Sequence, residues 1–211
     1  MDDAEKIRLR SDDELRRHAA GLLEIANHLR VARIPFFVGG GTLLGIVRDN
    51  ALIPWDWDVE IDFRAEDIYP HRKQVLADLR GSGFAISRVD RSFRNFKIKA
   101  EKFGTVYELL AWQRHGEFRH RRRYRLREEF FRRPSNITFA GVELPTFSSP
   151  EAYLEFQYGD WRTPLRSSDK AAYLSRDCLV PPSAATNLAL RLHAGVARFR
   201  HYRAFEHAAG R

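Results

Sequence analysis

Apolar positions along this chain change period several times, and each change predicts an element. Leu15, Ala19, Leu22, Ala26 and Leu29 recur at helical spacing behind Ser11 and Glu14, a capping-box pair, so a first helix is expected over residues 12–31. Residues 34–38 read as a short buried strand, which Gly39, Gly40 and Gly41 turn into a helix beginning near Leu43 with Thr42 as its N-cap. Over residues 55–63 the period becomes two. Asp56, Asp58, Glu60 and Asp62 alternate with Trp55, Trp57, Val59, Ile61 and Phe63, so a strand here carries every acid on one face and every apolar residue on the other.

Residues 67–80 continue as a helix with Pro70 in its first turn, closed by Gly81, Ser82 and Gly83. Three strand-like runs follow at 84–89, 96–101 and 105–112, and a hairpin is expected over 137–144 around Ala140 and Gly141. Ser149 and Pro150 open a helix that runs to Tyr158 and stops at Gly159. The last element is a basic helix over 183–208, with Leu188, Leu192, Val196, Phe199 and Tyr202 at helical spacing. The expected fold is α/β (α+β in stricter usage), a small mixed sheet carrying the acids between flanking helices. It forms a single domain, with a core over 1–162 and a helical C-terminal portion over 163–211.

Neighbouring carboxylates on the acidic face stand roughly 6.6 Å apart, and each pair repels by about 0.6 kcal/mol in water or about 2.5 kcal/mol at an effective dielectric of 20. No base on that face offsets the repulsion, as a solvated strand would provide. A divalent cation does so naturally, and Mg²⁺ (or Mn²⁺) is expected because it takes one or two carboxylates and keeps its other positions for water and phosphate. The glycine turn fits the same chemistry. It allows phosphate oxygens close to the main chain at a helix N-terminus, with Arg48 as an added contact.

Glu108 is the lone acid in an apolar run, and burying it unpaired is costly. It is either a site carboxylate or the partner of Lys97 or Lys99 across a strand ladder. Lys97 and Lys99 in turn either neutralise phosphates or face solvent.

Composition narrows the class. At 211 residues with one cysteine, the chain buries a full core and excludes both an intramolecular disulfide and a multi-cysteine zinc site, and Cys178 reads as a core residue. None of the eight histidines shows ligand spacing. The N-terminus is charged with no apolar run behind it, so cytoplasmic residence is expected; helix 183–208 either packs on the core or makes a peripheral contact with the membrane's inner face. The net charge of +8 is uneven, with nine arginines between Arg114 and Arg133. That run is either a solvated face or an anion site for nucleic acid, lipid headgroups or a phosphorylated glycan. Nucleic acid is disfavoured, because no recognised motif frames the interleaved Phe118, Tyr124, Phe130 and Phe131.

Taken in order, Gly40-Gly41-Thr42-Leu43-Leu44-Gly45, Arg48, and Ile53-Pro54-Trp55-Asp56-Trp57-Asp58-Val59-Glu60 resemble the LicD and fukutin-related family. Pro145-Thr146-Phe147, Pro150-Glu151-Ala152-Tyr153-Leu154 and Tyr158-Gly159-Asp160-Trp161 are similar to its distal segment, so the resemblance extends over about 34–161. It departs from the usual pattern at Glu60, where Asp is common; Asp56-Trp57-Asp58 is the acid-aromatic-acid form of the fukutin-related branch.

The resemblance implies a nucleotidyltransferase-type fold and a Mg²⁺-dependent enzyme. The reaction is transfer of phosphocholine or a polyol phosphate, such as ribitol or glycerol phosphate, from a CDP-activated alcohol donor to a sugar hydroxyl of a cell-surface or lipid-linked glycan acceptor. On that reading Asp58 and Glu60 hold the metal and Asp56 supports them, while Glu108 completes the metal site or acts as general base. Gly40, Gly41, Thr42, Arg48, Lys97 and Lys99 meet donor phosphates. Two alternatives stay open: a nucleotidyltransferase delivering a nucleoside monophosphate to a small molecule or RNA, and a non-catalytic basic RNA- or glycan-binding module.

Overall fold

A computed structural model describes residues 7–90 and 95–180. Helix α1 spans Asp12–Val31, and its capping box is formed: the Ser11 hydroxyl accepts the Glu14 N–H at 3.3 Å and the Glu14 carboxylate accepts the Ser11 N–H at 2.9 Å. Strand β1 is only Phe37–Val38, and α2 (Gly40–Asp49) starts three residues before the expected Leu43. Gly39 is the N-cap, and Thr42 therefore lies inside the first turn, where its hydroxyl accepts the N–H of Glu60 at 2.8 Å. A side chain expected to cap a helix instead ties that helix to the acidic strand.

Strand β2 covers Asp58–Arg64, shorter at its start than the alternation over 55–63 suggests. The cause is a turn after Pro54. The Asp56 N–H donates to the Ile53 carbonyl at 3.0 Å, and the Trp57 N–H donates to the Asp56 carboxylate at 3.0 Å. Trp55 and Trp57 thus leave the apolar face. Helix α3 (Ala65–Gly81) also begins earlier than expected and holds Pro70 inside it rather than in the first turn.

Beyond α3 come β3 (Ala85–Asp90), β4 (Lys97–Lys102), β5 (Thr105–His115), β6 (Phe118–Arg121) and β7 (Tyr124–Arg127). Strands β8 (Ser135–Phe139) and β9 (Val142–Thr146) form the expected hairpin, turning at Ala140 and Gly141 with φ of 50° and 76°. Helix α4 (Pro150–Tyr158) ends at Gly159 with φ of 67°, and a short α5 covers Lys170–Tyr173. Among the described residues the strands make one nine-stranded sheet in the order β3-β4-β5-β2-β1-β9-β8, with β6 added to β5 and β7 to β6. It is mixed: β2 runs parallel to β5, and β1 to β9, while the other pairs are antiparallel.

The register explains the two faces. Val59, Ile61 and Phe63 pair with Tyr107, Leu109 and Ala111, and all six are buried. Helix α1 lies over Tyr107, whose hydroxyl donates to the His18 carbonyl at 3.3 Å, and Gly21 of that helix has no room for a Cβ above the ring. Burying each of these large side chains contributes about 1.5–3 kcal/mol, which offsets gathering the acids on the other face. A second apolar group, Phe37, Phe131, Phe147 and Tyr153, locks α4 to the sheet, with the Phe147 and Tyr153 rings stacked 4.0 Å apart. Cys178 is buried, as expected of a core residue.

The arginine run extends from the end of β5 through the β6–β7 hairpin to a single 3-10 turn at Glu128–Phe131. Among the described residues no helix is long and apolar enough to cross a membrane. The basic helix expected at 183–208 and the charged residues 1–6 lie outside the described residues.

Candidate active site

On the far side of the sheet from α1, the acidic row opens into a cavity of about 610 Å³. Asp56, Asp58, Glu60 and Asp62 line it beside Gly40, Gly41, Arg48, Trp55 and Trp57. Helix α4, β5, the β6–β7 hairpin and residues 160–180 complete the wall, through Tyr153, Gln157, Trp112, Arg121, Trp161 and Lys170 among others. Residues between Thr163 and Cys178, beyond the core boundary expected at 162, thus contribute to the wall.

Each glycine of the turn faces one acid. A Cβ on Gly39 would overlap the Asp62 carboxylate, one on Gly40 that of Glu60, and one on Gly41 that of Asp56. The turn has to be bare for the helix N-terminus to press this close, and Gly40 also needs its φ of 56°. The Gly41 N–H donates to Glu60 at 2.8 Å, and the Gly40 N–H donates to the Tyr153 hydroxyl at 2.9 Å. Both main-chain donors expected to meet phosphate are thus engaged by the protein's own oxygens, and the positive end of α2 acts on Glu60.

The rest of the row lacks such support. Asp62 accepts the Trp112 indole N–H at 2.7 Å, yet burial and then the Glu60 charge push its carboxyl up to about 7. Asp56 shares a hydrogen bond with Asp58, and burial followed by the Glu60 charge raises it to about 7. Asp58 is held well above the usual carboxylate range by burial first and then by Asp56, Glu60 and Glu108. These carboxyls are held toward the protonated form because burial and mutual repulsion outweigh the charges of Arg10, Lys170 and Arg121, which act on Asp56, Asp58 and Asp62 in turn.

Glu108 stands beside Glu60 in the β2–β5 register, and its carboxylate forms a 2.5 Å salt bridge with Lys97. Lys99 lies over the Trp57 ring, 4.9 Å from its centroid. Glu108, Lys97, Lys99 and Thr42 are off the cavity wall. Arg48 is on it, with its guanidinium bonded to Asp49 at 2.7 Å. Among the described residues no three His, Cys, Asp or Glu side chains are gathered as a ready metal cage. The donor chemistry nonetheless suits a hard cation: Asp56, Asp58 and Glu60 bring carboxylate oxygens to one cavity, and two of them share a hydrogen bond.

A family model for the LicD/FKTN/FKRP nucleotidyltransferase domain matches residues 33–148, more than half of the chain and the whole of the acidic row. The chain belongs to this family. Within the LicD/FKTN/FKRP family, it is 37% identical to the ribitol 5-phosphate transferase FKRP of Mus musculus over 60 residues, and equally so to that of Homo sapiens. The match takes in 28% of this chain and only 11% of those proteins. The solution structure of the antibiotic-resistance factor ANT(2'')-Ia shares the fold, with a TM-score of 0.51 over 92% of this chain and 98% of that one at 17% identity.

Several cavity residues escape sequence reasoning. Trp112, Tyr153 and Gln157 sit in apolar or helical patterns that read as packing, and Arg121 is hidden among eight other arginines in the run. Tyr153 and Trp161 carried a signal only through the distal segment of the family resemblance.

Proposed function

We propose that this LicD/FKTN/FKRP-family protein transfers a polyol phosphate from a CDP-activated donor to a sugar hydroxyl of a glycan. The observation that carries the reading is the row of carboxylates, held toward the protonated form, on the wall of a cavity of about 610 Å³. Asp58 and Glu60 would hold Mg²⁺ or Mn²⁺, with the Glu60 carboxylate already aimed by the Gly41 N–H. The cation, when bound, neutralises phosphate charge as phosphorus changes partners.

The acceptor hydroxyl oxygen forms a bond to the donor's distal phosphorus, the P–O bond to cytidine monophosphate breaks, and that nucleotide leaves with the electron pair. Asp56, on the same cavity wall as Asp58 and Glu60, would take the hydroxyl proton. Glu108, charge-paired with Lys97, acts from beside the row by tuning Asp58. Arg48, on the same cavity wall, would orient the donor.

Polyol rather than choline is favoured by the cavity wall. The Gln157 Oε1 and Trp161 Nε1 atoms are buried there without hydrogen-bond partners, and hydroxyl groups satisfy them where a trimethylammonium group does not. The relatives' identity as ribitol 5-phosphate transferases points the same way. The test is release of cytidine monophosphate from CDP-ribitol, CDP-glycerol and CDP-choline in the presence of Mg²⁺ or Mn²⁺ and an oligosaccharide acceptor. Turnover of a polyol donor above CDP-choline is expected. Absence of release from all three donors with either metal would overturn the reading.

A further inference from the structure

Arg119 and Arg121 lie on the same face of β6, two residues apart, and meet opposite surroundings. Arg119 is 2% exposed and donates to Glu66 at 2.6 Å and to Glu128 at 2.6 Å. Arg121 forms no salt bridge among the described residues. Its guanidinium stands over the Trp112 ring at 5.4 Å and the Tyr124 ring at 5.9 Å, and its Nε is buried with no hydrogen-bond partner. The side chain lines the active cavity. Because Trp112 donates to Asp62, Arg121 enters that cavity at the Asp62 end of the acidic row.

Three features of this arrangement point to a ligand. A guanidinium is a rigid fork, and stacking on two rings fixes its plane before anything binds. Its buried Nε–H lacks an acceptor, although a buried donor is normally satisfied. The cavity it faces has room for that acceptor. The neighbouring Arg122 and Arg123 are exposed on the hairpin turn, away from this wall, so the arginine run does not act as one surface.

We propose that Arg121 binds a substrate phosphate inside the cavity, from the wall facing the carboxylate row. This rests on the transfer reading only for where that phosphate comes from: the diphosphate of the donor, or a phosphate monoester on the acceptor or product. Planar, two-point contact to phosphate oxygens is the chemistry that the stacked fork and orphaned Nε–H offer.

The test is titration calorimetry of the full chain with two probes, CDP and ribitol 5-phosphate, in EDTA at fixed ionic strength. Arg121→Met, which keeps the apolar stem on the rings, is expected to weaken at least one probe by about tenfold or more. Arg121→Lys should fall between it and the wild type, because it keeps the charge and loses the fork; this variant decides the matter if the Met variant fails to fold. Arg123→Met is expected to leave both affinities alone. Loss confined to CDP assigns Arg121 to the donor, and loss confined to ribitol 5-phosphate assigns it to the acceptor or product side.

Wild-type affinity for both probes in the Arg121 variants overturns the proposal. So does equal weakening by Arg123→Met, which would indicate only long-range charge, or failure of the wild type to bind either probe. Arg121-dependent binding without release of cytidine monophosphate from any donor would sink the transfer reading alone. Unaltered KM and turnover in Arg121→Met, with the wild type active, would sink the Arg121 assignment alone.

Discussion

Two groups of buried charge rest on neighbouring parts of one sheet, and they are built on opposite principles. Around Arg119 a single cation sits between Glu66 and Glu128, also donates to the Trp112 carbonyl at 3.1 Å, and lies over the Phe131 ring. Despite its burial, the two carboxylates hold the Arg119 guanidinium above its ordinary value, and Arg119 holds Glu66 below the usual carboxylate range. Along β2 the acids Asp56, Asp58 and Asp62 are shifted the other way, up toward the protonated form. The groups differ in how far their charge is compensated: Arg119 is paired directly with two carboxylates, whereas Arg10, Lys170 and Arg121 offset the acidic row only in part. A compensated cluster holds the fold together, whereas a partly compensated one that opens on a cavity remains at a cost unless something binds to it.

That contrast breaks most visibly at Arg119. Arg119→Ala strands the buried Glu128 and leaves the half-buried Glu66 unpaired, and is expected to cost about 3–5 kcal/mol of stability, read from urea unfolding. A loss under about 1 kcal/mol would mean the cluster is not the fold element described. Asp58→Asn sharpens the other side. Turnover should fall by about a hundredfold or more, while Tm stays level or rises slightly because a repelling charge has gone. If Asp58→Asn instead lowered Tm as Arg119→Ala does, the acidic row would be structural.

The smallest expected effect concerns a third way of burying an ionisable group, which is to leave it uncharged. His18 is buried in α1, and burial followed by the Arg10 charge lowers its pKa to about 4. In the unfolded chain it titrates near 6.5, so between about 6.5 and 4 the unfolded state takes up a proton that the folded state refuses. The stability tied to His18 is therefore present above pH 6.5 and declines as pH falls toward 4. Comparing Tm against pH for wild type and His18→Gln isolates this contribution, since other groups cancel in the difference. Parallel curves for the two proteins through that window would refute it.

Much of the architecture follows from residues close together in the chain. Ser11 and Glu14 announce α1, the acid-apolar alternation announces β2, and Ala140-Gly141 marks the β8–β9 turn, because capping, strand period and turn conformation are local effects. The same local reading stopped short at residues 55–57, where a turn after Pro54 overrides the alternation. It also missed the β6–β7 hairpin, whose run of arginines has too little apolar patterning to show its strand period.

By itself, then, the sequence determined the family, the acidic row and the identity of most elements, since each depends on side chains a few positions apart. Only the tertiary structure decided what those residues meet. Setting β4, β5, β2 and β1 side by side gave Glu108 to Lys97, Asp62 to Trp112, and the bare glycines to the three acids they press against. It likewise paired Arg119 with two carboxylates and left Arg121, on the same face, facing the cavity. Compensation of charge is a property of the neighbours that a fold brings together, and spacing along the chain does not encode those neighbours.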